Sequence, residues 1–145
     1  MPTKARIKEG SENMKIPELI SYEKSHHHIS MVLKMNASLC WFEGHFPNYA
    51  ILPAIAQIYM AKYFSALFFA QYDQEPSKTL EQLKSATKLN IASLNRMKFV
   101  KPIEPDNEVI LDLTFNEQKQ TIKFSYSDLN GNAFSQGQLK LISAQ

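Results

Sequence analysis

The chain has 145 residues and a net charge of +2, from 16 lysines and arginines against 14 aspartates and glutamates. This balance, with no dense basic tract between aromatic residues, argues against nucleic acid or a membrane surface as partner. The length suits one domain whose core needs no disulfide or metal. We expect a single domain over residues 16–145, after a flexible leader at 1–15 that lacks the apolar core of a signal peptide.

Cys40 is the only cysteine, so no disulfide can form within the chain. This fits a reducing compartment and predicts a cytoplasmic location. A free cysteine in an apolar run is more often a small core residue than a nucleophile, and we predict the core role for Cys40.

Loose alternation of apolar residues over Tyr22–Leu39 predicts a strand with an irregularity near its middle, after a helical or irregular lead-in at Pro17–Ile20. The triplet His26–His28 lies near the start of this strand. Neighbouring strand residues point to opposite faces, so only the outer two histidines share a face, and no third ligand completes a metal site. A partly exposed strand edge explains the triplet better. We expect neither a metal nor a cofactor.

A long apolar segment follows the turn region that begins at Trp41. Pro53 suits the first turn of a helix, where its missing N–H has no cost, and we predict a helix from Ala54 to about Tyr72. Polar residues such as Gln57 and Lys62 interrupt the segment. We therefore predict a buried core helix that is apolar all round, and not a membrane span.

From residue 89 onwards the sequence alternates as strands do. A proline-rich turn, a polar loop and the hairpin signal Asn130-Gly131 separate the alternating segments. The spacing of apolar residues over Lys78–Lys88 is moderately helical, and a mobile excursion is the equal alternative. One strand, a long helix and three or four antiparallel strands make an α+β layout. The predicted C-terminal strands are Leu94–Val100, Glu108–Phe115, Thr121–Asp128 and Ala133–Ile142.

Two motifs resemble those of the hot-dog-fold 3-hydroxyacyl-[acyl carrier protein] dehydratases. Gly44-His45-Phe46-Pro47 resembles the start of G-H-F-P-x-x-P-x-x-P-G, and the run L-P-A-I-A-Q-I at 52–58 looks most like the L-P-G-V-A-Q-L of the ApeI-like branch. A second block at 97–108, M-K-F-V-K-P-I-E-P-D-N-E, resembles K-F-x-x-P-V-x-P-G-D. The resemblance covers residues 16–142. It implies an antiparallel sheet wrapped around one long central helix, and a dimer with each active site at the interface.

The resemblance also implies roles for individual residues. His45 would take the C2 proton of a 3-hydroxyacyl thioester, because histidine titrates near operating pH. The amide of Ala54 would polarise the thioester carbonyl. Ala54 replaces the glycine of the motif, and Ala50 replaces its middle proline. The implied substrate-binding residues are Phe46, Ala54, Gln57 and Tyr63, with Asn48 and Tyr49 shaping the loop.

The sequence departs from the family where the second catalytic group is expected. Tyr59 stands fourteen positions after the histidine, where the family has an acidic residue, and Tyr63 stands where it often has glutamine. Tyr59 is the candidate acid, although a phenol with a pKa of ~10 is a poor proton shuttle. Glu43 shares a side-chain face with His45 and is the alternative. Packing is an alternative role for Tyr59, and a buried polar contact is one for Gln57.

Three functions remain open at this point. The leading one is dehydration of a 3-hydroxyacyl thioester, carried by acyl carrier protein or coenzyme A, in fatty-acid, polyketide or aryl-polyene-type lipid synthesis. The second is a catalytically weak acyl-binding subunit, or the heterodimer partner of an active paralogue. The third, a thioesterase, needs a carboxylate on the central helix, and none stands out. Lys98 and Lys101 are candidate contacts for an acidic carrier protein.

Overall fold

The computed structural model describes residues 15–43, 50–69 and 90–142. Within these ranges the chain forms two strands, a short 3-10 turn, one long helix and four further strands. The elements are β1 Glu18–Lys24, β2 His28–Lys34, the 3-10 turn Cys40–Phe42, α1 Ala54–Phe69, β3 Ile91–Phe99, β4 Glu108–Asn116, β5 Thr121–Ser127 and β6 Ala133–Leu141.

The six strands form one antiparallel sheet in the order β1-β2-β4-β5-β6-β3. β4, β5 and β6 follow one another as hairpins, whereas β3 pairs with β6 at the edge of the sheet. The segment from β3 to β4 therefore crosses the end of the sheet. On its way Ile103 accepts a hydrogen bond from the Leu52 amide at 2.8 Å, just before α1 begins.

Strict alternation in β4 and β5 creates the apolar inner face of the sheet. Leu111 pairs with Tyr126, Leu113 pairs with Phe124, and all four side chains are fully buried. These strands, the Asn130-Gly131 turn and β6 confirm the sequence prediction. The α+β architecture, a long helix packed on an antiparallel sheet, is confirmed as well.

The helix α1 runs across the inner face of the sheet. Near its start the Gln57 carbonyl accepts a hydrogen bond of 2.7 Å from the Tyr126 hydroxyl on β5. Near its end the Phe68 ring lies 4.9 Å from the ring of Tyr22 on β1. The helix thus spans the sheet from the β5–β6 side to the β1 edge.

The N-terminal region differs from its prediction, because Tyr22–Leu39 is not one strand. The chain reverses at Ser25, whose amide donates to the His28 carbonyl at 2.8 Å and whose Oγ donates to the same oxygen at 3.3 Å. The result is the β1–β2 hairpin, and β1 already begins within the predicted lead-in at Pro17–Ile20. A serine–histidine turn without glycine or proline carries no strong turn signal.

The helix also differs from its prediction, because it is not buried all round. Ile55 is 66% exposed and Tyr59 is 38% exposed. Lys62 is exposed on the same side of the helix. The sheet covers only the opposite side. In the described part of the chain, no helix has the length and hydropathy needed to cross a membrane.

Several predictions fall outside the described residues. They concern residues 1–14 of the predicted leader, the end of the central helix beyond Phe69 and the segment Lys78–Lys88, predicted as a helix or a mobile excursion.

Candidate active site

The start of α1 presents free backbone donors. The Pro53 carbonyl accepts the amides of Ala56 and Gln57 at 3.1 and 3.2 Å, so the helix begins directly after this proline, as predicted. Within the described ranges, the amides of Ala54 and Ile55 have no hydrogen-bond acceptor. They lie at the positive end of the helix dipole, and both residues are exposed. This arrangement is suited to polarising a carbonyl oxygen.

Tyr59 lies on the open side of α1, beside the 3-10 turn that precedes Gly44. Its ring centroid is 5.5 Å from that of Trp41, with 54° between the ring planes. Trp41 is itself held by a hydrogen bond of 2.9 Å from its Nε1 to the Lys15 carbonyl. The aromatic contact therefore connects the candidate acid to the segment that leads into the predicted histidine turn.

Gln57 lies on the covered side of the helix and is 3% exposed. Its Nε2 donates to the Leu52 carbonyl at 3.3 Å, and its Oε1 accepts a hydrogen bond of 2.6 Å from the Ser135 hydroxyl. Burial raises the pKa of the Tyr126 phenol, which stays protonated as a donor to the Gln57 carbonyl. These bonds tie the helix start to β5 and β6, which is the buried polar contact expected as the alternative role. Contact between Gln57 and substrate stays a prediction.

Some of the other residues singled out from the sequence are described by the structure, and some are not. Tyr63 is half-buried one turn beyond Tyr59, and its ring meets Phe64 edge-on at 5.2 Å. Glu43 is exposed at the end of the 3-10 turn, where its amide donates to the Cys40 carbonyl at 3.2 Å. Cys40 is partly exposed, which differs from its predicted place in the core. His45, Phe46, Asn48 and Tyr49 lie outside the described residues.

The histidine triplet lies at the β1–β2 turn, where carboxylates from the β4 region meet it. His28 Nε2 is 3.1 Å from Asp112 Oδ1, and His27 Nε2 is 3.5 Å from Glu117 Oε2. Each of these histidines meets a different carboxylate. Among the described residues, no group of three histidine, cysteine or acidic side chains is placed to hold a metal ion.

A second polar region lies at the crossover between β3 and β4. A hollow of about 360 Å³ there is lined by both acidic and basic side chains. Lys101 Nζ is 3.1 Å from Asp128 Oδ2 and 4.7 Å from the centre of the Phe134 ring. Hydrogen bonds, chiefly from the Asn132 amide, lower the pKa of Asp128 to about 2. Of the two candidate carrier-binding lysines, Lys101 is therefore already paired.

Sequence reasoning missed three residues that shape the site. Trp41 had no assigned role, because its contact with the helix depends on the tertiary fold. Tyr126 falls within the predicted strand Thr121–Asp128 but had no assigned role, although its hydroxyl bonds the helix. Ser135 is a fully buried hydroxyl in β6. A polar residue at an inward strand position was the available signal, because buried polar groups are nearly always hydrogen-bonded.

Comparison with known proteins identifies similar chains. The model of the ApeI-like family, described as ApeI dehydratase, matches residues 21–138. A chain of the dehydratase heterocomplex ApeI:P from Xenorhabdus doucetiae is 29% identical, with a TM-score of 0.68, over 88% of this chain and 98% of that one. An uncharacterized protein from Erwinia carotovora subsp. atroseptica is 27% identical, with a TM-score of 0.64, over 83% of this chain and 89% of that one.

A more distant match concerns the fold alone. The PaaI protein from the phenylacetic acid degradation operon of E. coli is 10% identical, with a TM-score of 0.55, over 83% of this chain and 79% of that one. Together the matches confirm the hot-dog fold that the sequence motifs predicted.

Proposed function

The chain belongs to the ApeI dehydratase family, and we propose on this premise that it dehydrates a 3-hydroxyacyl thioester to the 2-enoyl thioester. The observation that carries the proposal is the start of α1, where the amides of Ala54 and Ile55 are open to a carbonyl oxygen. An acyl carrier protein or coenzyme A would hold the thioester. A lipid-synthesis pathway and a cytoplasmic location remain predictions from the sequence.

The proposed reaction breaks a C–H bond at C2 and the C–O bond at C3. His45 takes the proton from C2 while the helix amides stabilise the negative charge that develops on the thioester oxygen. The electron pair forms the C2–C3 double bond, and the hydroxyl leaves as water once it has been protonated. Tyr59, on the open side of α1, is our first choice for that proton donor, and Glu43 is the second.

A second candidate function is that of a subunit whose site is completed by a paralogous chain. Two observations favour it. One similar structure is that of a dehydratase heterocomplex, and Tyr59 replaces the acidic residue that the reaction prefers. The open side of α1, with Ile55 and Tyr59, would then contact the second chain, which would supply a carboxylic acid. A homodimer is the other way to cover this side. Without the second chain, such a subunit would have weak activity but would still bind acyl chains.

A thioesterase is not proposed. No aspartate or glutamate occurs in α1, so the helix offers no carboxylate to attack the thioester or activate water. The likeness to PaaI concerns the fold alone.

Turnover of a 3-hydroxyacyl thioester tests the proposal directly. Purified protein should form the enoyl thioester without releasing free thiol, and His45→Ala should lower the rate at least about 100-fold, the lower range for a general base. His26→Ala is the matched control, because His26 is an exposed histidine in the β1–β2 turn. Unchanged turnover in His45→Ala would refute the assignment. Activity that appears only with a co-expressed paralogue would establish the second candidate instead.

Substitution of Tyr59 distinguishes the two candidates. If its hydroxyl is the acid, Tyr59→Phe should slow turnover while the Trp41 contact is kept. An equal rate in Tyr59→Phe would exclude that role. A faster rate in Tyr59→Glu would then show that a carboxylic acid at this position restores a reduced site. Chemical denaturation of each variant separates catalytic loss from unfolding.

A further inference from the structure

A small basic hollow lies on the sheet face that points away from α1. Its volume is about 110 Å³, below the range of pockets for drug-sized ligands. Two cationic side chains, two carboxamides and one glycine line it, and no carboxylate does. The lining residues are Arg96, Lys123, Gln136, Gly137 and Gln138.

The ladder between β5 and β6 explains the shape of the hollow. Gly137 lies opposite Phe124, whose ring is fully buried on the inner face. A Cβ at Gly137 would lie 2.9 Å from that ring, so this position also points inward. The neighbours Gln136 and Gln138 therefore point outward, as does Lys123 opposite Gln138. The Gly137 backbone forms the floor between them.

Arg96 reaches the hollow from the other side, on β3. The β3–β6 register shifts between Asn95 and Lys98, which lie opposite Gln138 and Gln136. Arg96 lies in this irregularity with a φ of 54°, in the left-handed region that non-glycine residues seldom adopt. Bulges of this kind change the direction of a side chain relative to the strand. Here the bulge brings the guanidinium group to the edge of the hollow.

The two cations lack a counter-charge. Neither Arg96 nor Lys123 has an ion-pair partner among the described residues, and β3, β5 and β6 contain no aspartate or glutamate. The adjoining strand β4 has two carboxylates at outward positions. Asp112 is 3.1 Å from His28, and Glu108 lies beyond Ile110, which pairs with Ser127, four residues along β5 from Lys123. Two like charges at one small hollow repel each other unless an anion lies between them.

We infer that this hollow binds a phosphate group. A guanidinium and an ammonium group supply charge-assisted hydrogen bonds, and the two carboxamides supply further N–H donors. The volume holds one oxyanion group and not a whole nucleotide. The group is either free inorganic phosphate or a phosphate ester on a larger molecule. The site is separate from the candidate active site, because α1 packs on the other face.

Calorimetric titration in a phosphate-free buffer tests the inference, with inorganic phosphate in one arm and coenzyme A in the other. Arg96→Asn removes the guanidinium, and asparagine tolerates the left-handed backbone, so the bulge is kept. Lys123→Gln removes the second cation. Each variant should weaken binding about tenfold or more, as expected for loss of a charged hydrogen-bond donor. Lys34→Gln on β2 makes the same change in net charge and should alter binding less than about twofold.

Each outcome has a definite meaning. Weakening of phosphate binding in both variants supports the free ion as ligand, and weakening of coenzyme A binding alone supports a phosphate ester. The inference is overturned if wild-type protein binds neither probe, or if Lys34→Gln weakens binding as much as the other two variants. Circular dichroism spectra that match wild type establish that each variant is folded.

Discussion

Gln57 and Tyr59 are two residues apart on α1, yet their environments are opposite. Gln57 is 3% exposed, and hydrogen bonds join it to Leu52, Ser135 and Tyr126. Tyr59 is 38% exposed and contacts the ring of Trp41. Hydrogen bonds within the chain thus hold the covered side of the helix against the sheet. The open side carries apolar surface without polar anchoring, which is the composition expected of a surface that binds something else.

The difference has an energetic consequence. On the covered side, removing one polar group leaves its buried partners without hydrogen bonds, which costs about 1–3 kcal/mol for each group. On the open side, water can satisfy whatever a substitution exposes. Stability should therefore depend on Gln57 and function on Tyr59, and the following substitutions test that division.

The largest effect is expected for Gln57→Leu. The change leaves the Ser135 hydroxyl and the Leu52 carbonyl buried without partners, so the free energy of unfolding should fall by about 2–4 kcal/mol. Urea denaturation measures it. Tyr59→Leu is the matched control and should cost less, about 0.5–1.5 kcal/mol, because it removes only the ring pair with Trp41. Equal losses in the two variants would show that both sides of the helix are equally anchored.

The next effect is expected for Tyr126→Phe, which removes one hydroxyl and keeps the ring. The hydrogen bond to the Gln57 carbonyl is lost, but the carboxamide bonds of Gln57 remain. A decrease of about 1–1.5 kcal/mol in unfolding free energy is expected, roughly the net value of one buried hydrogen bond. A loss as large as that of Gln57→Leu would mean that the hydroxyl, not the carboxamide, is the main anchor.

A smaller effect on stability is expected for Trp41→Leu, on the open side. Its ring pair with Tyr59 is worth about 0.5–1.5 kcal/mol beyond burial. Turnover should change more than stability if Trp41 positions Tyr59. Because Trp41 is the only tryptophan, its fluorescence also reports the contact, and Tyr59→Leu should shift the emission to longer wavelength. An unshifted spectrum would contradict the contact.

The smallest effect concerns Asp128, in the exposed β5–β6 turn. Its pKa is about 2, lowered chiefly by the Asn132 amide, whereas the pKa of an unfolded aspartate is ~3.9. The ionised form thus stabilises the fold above about pH 4, and the contribution is lost as pH falls towards 2. The melting temperatures of wild type and Asp128→Asn should differ at pH 6 and converge near pH 2. A constant difference would exclude the carboxylate as its source.

The parts of the fold that could be predicted are those with local signals. β4 and β5 alternate strictly, and the turn after them carries Asn130-Gly131, where Gly131 adopts a φ of 89°. The β1–β2 hairpin was missed because its turn at Ser25 contains neither glycine nor proline. The polar residues Ser25 to His28 were instead read as part of one irregular strand.

In the candidate site, too, the features with local sequence signals were predicted and those that depend on the tertiary fold were not. Pro53 and the motif around it predicted where α1 begins, because a helix start depends on neighbouring residues. The open side of the helix was not predicted, since Ile55 and Tyr59 are as apolar as the core residues around them. Their exposure depends on which side of the helix meets the sheet. The contact between Trp41 and Tyr59 likewise requires two segments that only the fold brings together.

The strand order also determines how the molecule folds. β4, β5 and β6 can pair through short hairpins, so they can form early and with little loss of chain entropy. β3 precedes them in the chain but pairs with β6, so Phe99 reaches Ser135 only once that hairpin series exists. Docking of β3 is therefore expected to be a late step in folding. Arg96 joins Lys123 in that same step, so an anion held between them would stabilise this edge in its docked position.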